Sequence, residues 1–400
     1  MEAFAQKFND RCNPIILWLS TQRHLQALKM GIIALMPMMI VMSICLCAAI
    51  LFQAFGYPLP QAAQLYPMFL RFLYVYLAYE NGAYLVERQG LVRIQGGILI
   101  SFITLCTVYA TWQQNPLTCF FPVLILSLGL AEMYIQTSKF KLSFHNIPPA
   151  VSEYLTNLLP IMLTVLAGIL ILCLGNGWMQ IINQILLFIT SCFNSLIMVL
   201  LIIAGTCFFW IFGIHGVSVI ATIARPFWFY MLLANGQAAI SNQPLPYIGS
   251  EGFFQWFVWI GGSGATIGLV FYMKFFAKSK ALKNLGKDTL VSSFFNINEP
   301  VVFGTPIVMN PCMMVPFLLV PILSGSINYI LIVSGIAPSP ILLAPWVFPA
   351  PLGALLACAL NMYALLPVLI TFIISCVLYF LFGTWYDRKL CGKADTICED

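Results

Sequence analysis

The stretch FFNINEPVVFGTPIVMNP, residues 294–311, sets the fold class because it is apolar and yet unable to form a regular helix. It places Glu299 beside Pro300, and prolines recur at 306, 311, 316 and 321. From Thr289 to Tyr386 there is no Lys, Arg, His or Asp, and no Glu other than Glu299. Proline removes a backbone donor and clashes with the preceding turn. Irregular backbone at bilayer depth persists only where protein or a wet cavity satisfies its polar groups. The segment is therefore expected to be a re-entrant hairpin lining a cavity, with a buried Glu299 on it. A carboxylate at mid-membrane costs on the order of 2.5–3.5 kcal/mol, so such residues usually serve a substrate or ion path. The plainer alternative is a glutamate solvated at headgroup level.

Outward from that stretch, composition points the same way. Of 400 residues, 61% are hydrophobic and 8% charged. A soluble domain carries roughly 25% charge, so this chain is expected to be an all-α integral membrane protein. Its length allows about ten spanning helices of roughly 20 residues. Candidate spans fall near 30–55, 67–85, 91–112, 117–136, 157–175, 196–214, 216–234, 254–273, 312–334 and 362–383. The weakest is 216–234, which Arg225-Pro226 interrupts. Basic residues cluster at 7–29, Arg88/Arg93, Lys139/Lys141, 274–287 and 388–393. Placing every cluster on the cytoplasmic side puts both termini inside. The first 29 residues are too charged, and their apolar run too short, for a secretory signal.

The net charge of +5 is modest and reads as membrane topology, not nucleic-acid binding. The 13 cysteines show no CxxC pair and no His/Cys ligand spacing, so neither a metal site nor a disulfide framework is expected. No cofactor is expected either. A polar, proline-bearing linker at 137–155 divides the chain. The expected parts are 1–156, 157–385, which holds the substrate and re-entrant region, and a short cytoplasmic tail, 386–400.

Several residues could carry chemistry. Asn296 and Asn298 put two amides within four positions of Glu299, which suits a hydroxyl-rich ligand; capping is the alternative for each. His215, in FWIFGIHGVSV, is the only Lys, Arg, His, Asp or Glu between Glu153 and Arg225. Gly213 and Gly216 beside it permit sharp turns and close ligand approach, although a lone His is often a packed one. WIGGSGATIGL (259–269) is either a close-packing helix surface or a backbone-lined site with Ser263 and Thr266 as donors. Trp346, between prolines in APWVFPAP, sits on a rigid extended backbone; its indole could stack on a sugar face or anchor at the interface. Trp210, Trp228, Trp256 and Trp259 read as anchors or packing. Five lysines (274, 278, 280, 283, 287) without an acid among them suit lipid headgroups or an acidic cytosolic partner.

The string AKSKALKNLGKDTLVSSFFNINEPVVFGTPIVMNPCMMVPF (277–317) resembles the signature region of membrane IIC components in the lactose/cellobiose/diacetylchitobiose family of the bacterial sugar phosphotransferase system. The matching positions are Lys278, Ser279, Lys280, Lys283, Gly286, Lys287, 295–300, Phe303, Gly304, Pro306 and Asn310-Pro311. RHLQALKMGIIALMP (23–37), IPPAVSEYLTNLLP (147–160), GIHG, SEGFFQWFVWIGGSGATIGL and APW follow in the family's order. Departures fall at Lys29-Met30, Glu153-Tyr154-Leu155 and Val347-Phe348, and they bear on sugar identity.

The resemblance implies a homodimer formed through the N-terminal helices, and a C-terminal half that holds a β-linked disaccharide or related sugar near re-entrant hairpins. It implies group translocation across the bacterial inner membrane. The sugar would be phosphorylated from a cytosolic IIB protein, itself charged by IIA, because this chain has no IIB-like phosphorylatable cysteine. Glu299 and His215 carry over as the catalytic pair beside the reacting hydroxyl. Asn296, Asn298, Trp346, Ser263, Glu251 and Asn310 are substrate-binding candidates, and Lys278, Lys280, Lys283 and Lys287 partner-docking ones. Competing readings are a proton-coupled secondary sugar transporter and a non-transporting sugar sensor. A membrane hydrolase lacks a second carboxylate or nucleophile set near Glu299.

Overall fold

The computed structural model describes residues 14, 18, 21–57, 60–114, 116–140, 148–175, 177–305 and 307–392. All regular structure among them is helical. In chain order the helices are α1 (Arg23–Ala54), α2 (Pro60–Glu87), α3 (Arg93–Gln114), α4 (Phe120–Thr137), α5 (Pro149–Cys173), α6 (Gly177–Asn194), α7 (Leu196–Ile211) and α8 (Gly216–Ile240). They are followed by α9 (Glu251–Phe253), α10 (Ile267–Phe275), α11 (Lys280–Phe294), α12 (Glu299–Gly304), α13 (Pro311–Val333), α14 (Ala350–Ala357) and α15 (Leu365–Cys391).

Among the described residues six stretches are long and apolar enough to cross a membrane: Arg23–Ala54, Pro116–Thr137, Leu155–Cys173, Gly216–Ile240, Pro311–Val333 and Met362–Cys391. α6 and α7 together make a further candidate, bent by 71° at a short break. Large apolar side chains stand outside, among them Ile44, Ile197 and Leu381, at 65%, 74% and 60% exposure. In water such a surface would be an association hazard. Against lipid tails it is the natural finish of a spanning helix.

The chain forms two compact units. One comprises 20–42 and 59–191. Within it Arg23 pairs with Glu132 at 2.6 Å, with His24 Nε2 3.4 Å from the same carboxylate. Asn81 donates to Ser127 Oγ at 3.1 Å in the interior. The lack of a side chain at Gly82 lets α2 close on Ile100 of α3, as small residues do between membrane helices.

The other unit comprises 1–19, 43–58 and 192–400. One part of its core gathers Trp228, Phe253, Phe254, Trp256 and Phe257, all at most 2% exposed. A second part gathers Trp210, Met273, Val301, Phe317 and Tyr379. The four tryptophans read as anchors or packing are therefore packing: Trp210, Trp228, Trp256 and Trp259 are all buried.

The structure corrects several expectations. The span at 254–273 is not continuous. After α9 comes a single π-helical turn, Phe254–Val258, then an irregular loop, and only then α10. The loop carries positive φ at Gly261, Gly262, Gly264 and Ala265, conformations that suit glycine and exclude a helix. Arg225-Pro226 does not interrupt α8, which runs unbroken for 25 residues. Pro316 and Pro321 likewise lie within a continuous α13, so the proline-imposed break is confined to 294–311. The linker at 137–155 is shorter than expected, because α5 begins at Pro149; residues 141–147 lie outside the described residues. Trp346 sits in a turn closed by the Phe348 N–H on the Pro345 carbonyl, not on extended backbone. α6 went unanticipated, because Gln180, Asn183 and Gln184 dilute its apolar content. Ten cysteines are free among the described residues, while Cys391 is disulfide-bonded.

Candidate functional site

The expected break at 294–311 is present. α11 ends at Phe294, Asn296 takes a positive φ of 61°, and α12 lasts six residues. Met309, with φ 59°, turns the chain into α13. Glu299 opens α12, where its carboxylate meets the positive end of the helix dipole. Pro300 follows it in the first helical turn, where a missing N–H costs nothing.

His215 comes from another part of the chain. α7 ends at Ile211; two residues on, Gly213, with a φ of +79°, reverses the backbone, and His215 is the N-cap residue of α8. A Cβ on Gly216 would run into the Thr206 carbonyl, so this glycine serves close packing of α7 on α8 and leaves no room for a ligand. The Met309 N–H donates to the Ile211 carbonyl at 3.1 Å, tying the turn after α12 to the end of α7. The result places His215 Nε2 3.5 Å from Glu299 Oε1. Trp210 lies against the imidazole, ring centres 4.6 Å apart, and Phe303 against Trp210 at 6.0 Å.

Glu299 is not buried as expected: its side chain is 45% exposed and that of His215 47%. A gap of 3.5 Å is too long for a firm hydrogen bond. Both groups thus keep polar capacity that one hydroxyl, touching both, could use. A carboxylate able to accept a proton beside a nitrogen able to donate one is the minimum needed to orient and activate an alcohol.

Asn296 and Asn298 lie beside this pair, but their amides are spent on backbone. Asn296 Oδ1 accepts from the Gly261 N–H at 3.0 Å and its Nδ2 donates to the Phe348 carbonyl at 2.9 Å. Asn298 Nδ2 donates to the Ser263 carbonyl at 2.6 Å. Both are nearly buried. They stitch the Glu299 segment to the glycine loop at 259–266 and to the turn holding Trp346. Gly262 is required there, since a Cβ would strike the Asn298 side chain.

The remaining candidates separate. Ser263 is buried, and the carbonyl held by Asn298 is its contribution to the stitching. Trp346 is 56% exposed, so its indole remains open to contact. Asn310 caps α13 through the Cys312 N–H at 3.1 Å. Glu251 pairs with Arg225, 2.9 Å away. A cavity of about 480 Å³ touches the site through Gly261 and Asn296, and is otherwise lined by apolar residues such as Phe271, Leu369 and Phe372. It suits hydrocarbon better than hydroxyls, and neither Glu299 nor His215 lines it.

Lys280, Lys283 and Lys287 recur on one face of α11, with Lys278 just before it, and three of the four are exposed. Asp387, from the end of α15, accepts the N–H groups of Lys278 and Ser279 at 2.6 and 3.0 Å and the Tyr272 hydroxyl at 3.2 Å. This buried carboxylate fixes where the lysine-bearing helix starts. Sequence reading missed it, because it lies 109 residues from Lys278 in what looked like a tail-proximal charge cluster.

Residues 14–321 match the family model described as Phosphotransferase system, EIIC. The chain is 30% identical to the Lichenan permease IIC component of Bacillus subtilis (strain 168), over 97% of this chain and 95% of that protein. It is 28% identical to the PTS system cellobiose-specific EIIC component of Geobacillus stearothermophilus, over 97% and 95%. It is 27% identical to the PTS system lactose-specific EIICB component of Lacticaseibacillus casei, over 97% of this chain and 72% of that one. The crystal structure of the transporter ChbC, the IIC component from the N,N'-diacetylchitobiose-specific phosphotransferase system, shares the fold. Its TM-score is 0.82 at 23% identity, covering 96% of this chain and 98% of that one.

Proposed function

The chain belongs to the phosphotransferase system EIIC family, and from that premise we propose that it is a permease for a β-linked disaccharide or a related sugar, which enters the cell as its phosphate. The observation that carries the reading is the His215–Glu299 pair, half-exposed and 3.5 Å apart at the broken segment. The relatives named for lichenan, cellobiose and lactose support the substrate class.

The sugar hydroxyl lies against both side chains. Its oxygen attacks phosphorus on a phosphocysteine of a cytosolic IIB protein; an O–P bond forms, the P–S bond breaks, and the cysteine leaves as thiolate. Glu299 accepts the hydroxyl proton and His215 donates a hydrogen bond to the same oxygen. Phosphoryl transfer asks mainly for positioning and charge stabilisation, which two groups can supply. Trp346 packs its open indole on a sugar face. The exposed lysines of α11 receive the acidic, phosphorylated partner, for which the EIICB designation of the lactose relative is a precedent.

The same reading takes the protein as a homodimer in contact through its N-terminal helices. The C-terminal part holds the sugar, an even number of crossings leaves both termini in the cytoplasm, and lipid surrounds the apolar exterior. The test is to supply purified protein in vesicles with phosphorylated IIB and a panel of β-linked disaccharides. Sugar phosphate is the expected product. Accumulation of unmodified sugar under a pH gradient without phosphodonor would instead indicate a secondary transporter.

A further inference from the structure

The proposed chemistry asks Glu299, and not His215, to take the proton, yet a neutral imidazole is a base at one nitrogen and a donor at the other. His215 is the N-cap of α8, and its Nδ1 accepts from the Ser218 N–H at 3.2 Å, three residues on. A backbone N–H has no lone pair and can only donate. Nδ1 therefore presents its lone pair to the helix, and the neutral ring carries its proton on Nε2. Ser218 Oγ lies 2.9 Å from the same Nδ1; with that nitrogen fixed as acceptor, the hydroxyl is the donor. The nitrogen left over, Nε2, is the one 3.5 Å from Glu299 Oε1.

The geometry points to α8 as a tautomer lock: its N-terminus and Ser218 hold His215 as a donor through Nε2–H, so that Glu299 alone can accept the substrate proton. Ser218 is a positioning residue that acts through His215. Three further contacts keep the ring in register. Gly216 lies against the Thr206 carbonyl, which leaves the start of α8 no freedom to rotate. Trp210 covers one side of the imidazole. The Met309–Ile211 backbone bond fixes the turn after Glu299 relative to α7. A hydroxyl bridging the pair would donate to the carboxylate and accept from Nε2–H, leaving one oxygen lone pair for phosphorus. With the opposite tautomer, Nε2 would compete with Glu299 for the proton, and the cap of α8 would be lost. The inference rests on the functional reading above for its consequence, but the tautomer itself is a property of the unliganded protein.

The test uses full-length protein labelled with ¹⁵N-histidine in lipid bilayers at alkaline pH, with H215N removing the His215 signals for assignment against His24 and His145. Pyridine-type Nδ1 and pyrrole-type Nε2 resonances are expected. S218A, which keeps the backbone donor but loses the hydroxyl, should slow sugar-phosphate formation about 3- to 10-fold with sugar affinity unchanged. S218T should restore the rate, because it returns the hydroxyl. A pyridine-type Nε2 in the wild type overturns the assignment. S218A with wild-type rate and spectrum removes Ser218 from it. The expected spectrum in a protein that makes no sugar phosphate supports the lock and overturns the functional reading alone.

Discussion

Among the glutamates that face a nitrogen-bearing side chain, Glu299 and Glu251 belong to pairs that are built differently. Glu299 stands 3.5 Å from His215, with side chains 45% and 47% exposed. Glu251 stands 2.9 Å from Arg225, with side chains 28% and 16% exposed. The second pair is closed. A permanent cation holds the carboxylate at hydrogen-bond distance, and its charge is used up between the first residue of α9 and the middle of α8. The first pair is open: its two atoms stand beyond firm hydrogen-bond distance, so one hydroxyl lying beside them can touch both. On the proposed reading the contrast separates a working acid from a structural one, where the sequence offers Glu299 as a catalytic candidate and Glu251 as a substrate-binding one.

The largest effect that would break this comparison concerns chemistry. E299A is expected to lose about 10²- to 10⁴-fold in sugar-phosphate formation, the usual scale for a positioned proton acceptor. H215A should lose less, about 10- to 100-fold. The double variant should be no worse than E299A, since the proposed chemistry has both groups act on one hydroxyl. Strictly multiplicative losses in a stopped assay with phosphorylated IIB would mean that the pair does not work as a unit.

R225A should act on stability instead. Leaving Glu251 without its cation is expected to cost about 1–3 kcal/mol, below the scale for a fully buried pair because both side chains are partly exposed, visible as a lower Tm in detergent. Adding E251Q should recover most of it, and sugar-phosphate formation per folded molecule should stay near wild type. If E251Q alone abolished sugar binding with an unchanged Tm, the closed pair would belong to the substrate after all.

An effect of similar size sharpens the first pair. N298A removes the amide that holds the Ser263 carbonyl and should cost about 1–3 kcal/mol, the penalty for orphaning a buried polar group. It should loosen the Glu299 segment, measured as faster amide exchange across 259–266. Smallest of all, glutamine at Lys280 and Lys287 should weaken docking of phosphorylated IIB a few-fold and flatten its salt dependence, without altering sugar affinity.

Much of the site was legible from local rules. Proline spacing located the break at 294–311, and an isolated acid and histidine in apolar surroundings marked the two residues that the structure brings together. The rest depended on distance or ambiguity. WIGGSGATIGL reads as a close-packed helix face or as a backbone-lined site, and the structure makes it a loop. Only its partners, Asn296 and Asn298, decide for the loop, through bonds spanning 35 residues. The same amides were read as ligands for sugar, because an amide that grips backbone and one that grips a hydroxyl look alike in sequence. The exposure of Glu299 could not be read from its neighbours, since an apolar run does not say which face opens onto solvent. The Arg225–Glu251 pair joins residues 26 apart, and Asp387 holds the backbone just before α11 from far along the sequence. The His215–Ser218 contact is local, and its spacing of three is an N-cap signature, but histidine is not among the usual capping residues.

The central claim is that Glu299 takes the proton of the bound sugar's hydroxyl. Its most direct test is E299Q, which keeps shape and polarity while removing the basic oxygen. Equilibrium sugar binding and single-turnover phosphorylation from phosphorylated IIB should be measured on the same sample. Binding within a few-fold of wild type together with loss of sugar phosphate is the predicted result; sugar phosphate formed by E299Q at the wild-type rate would contradict it.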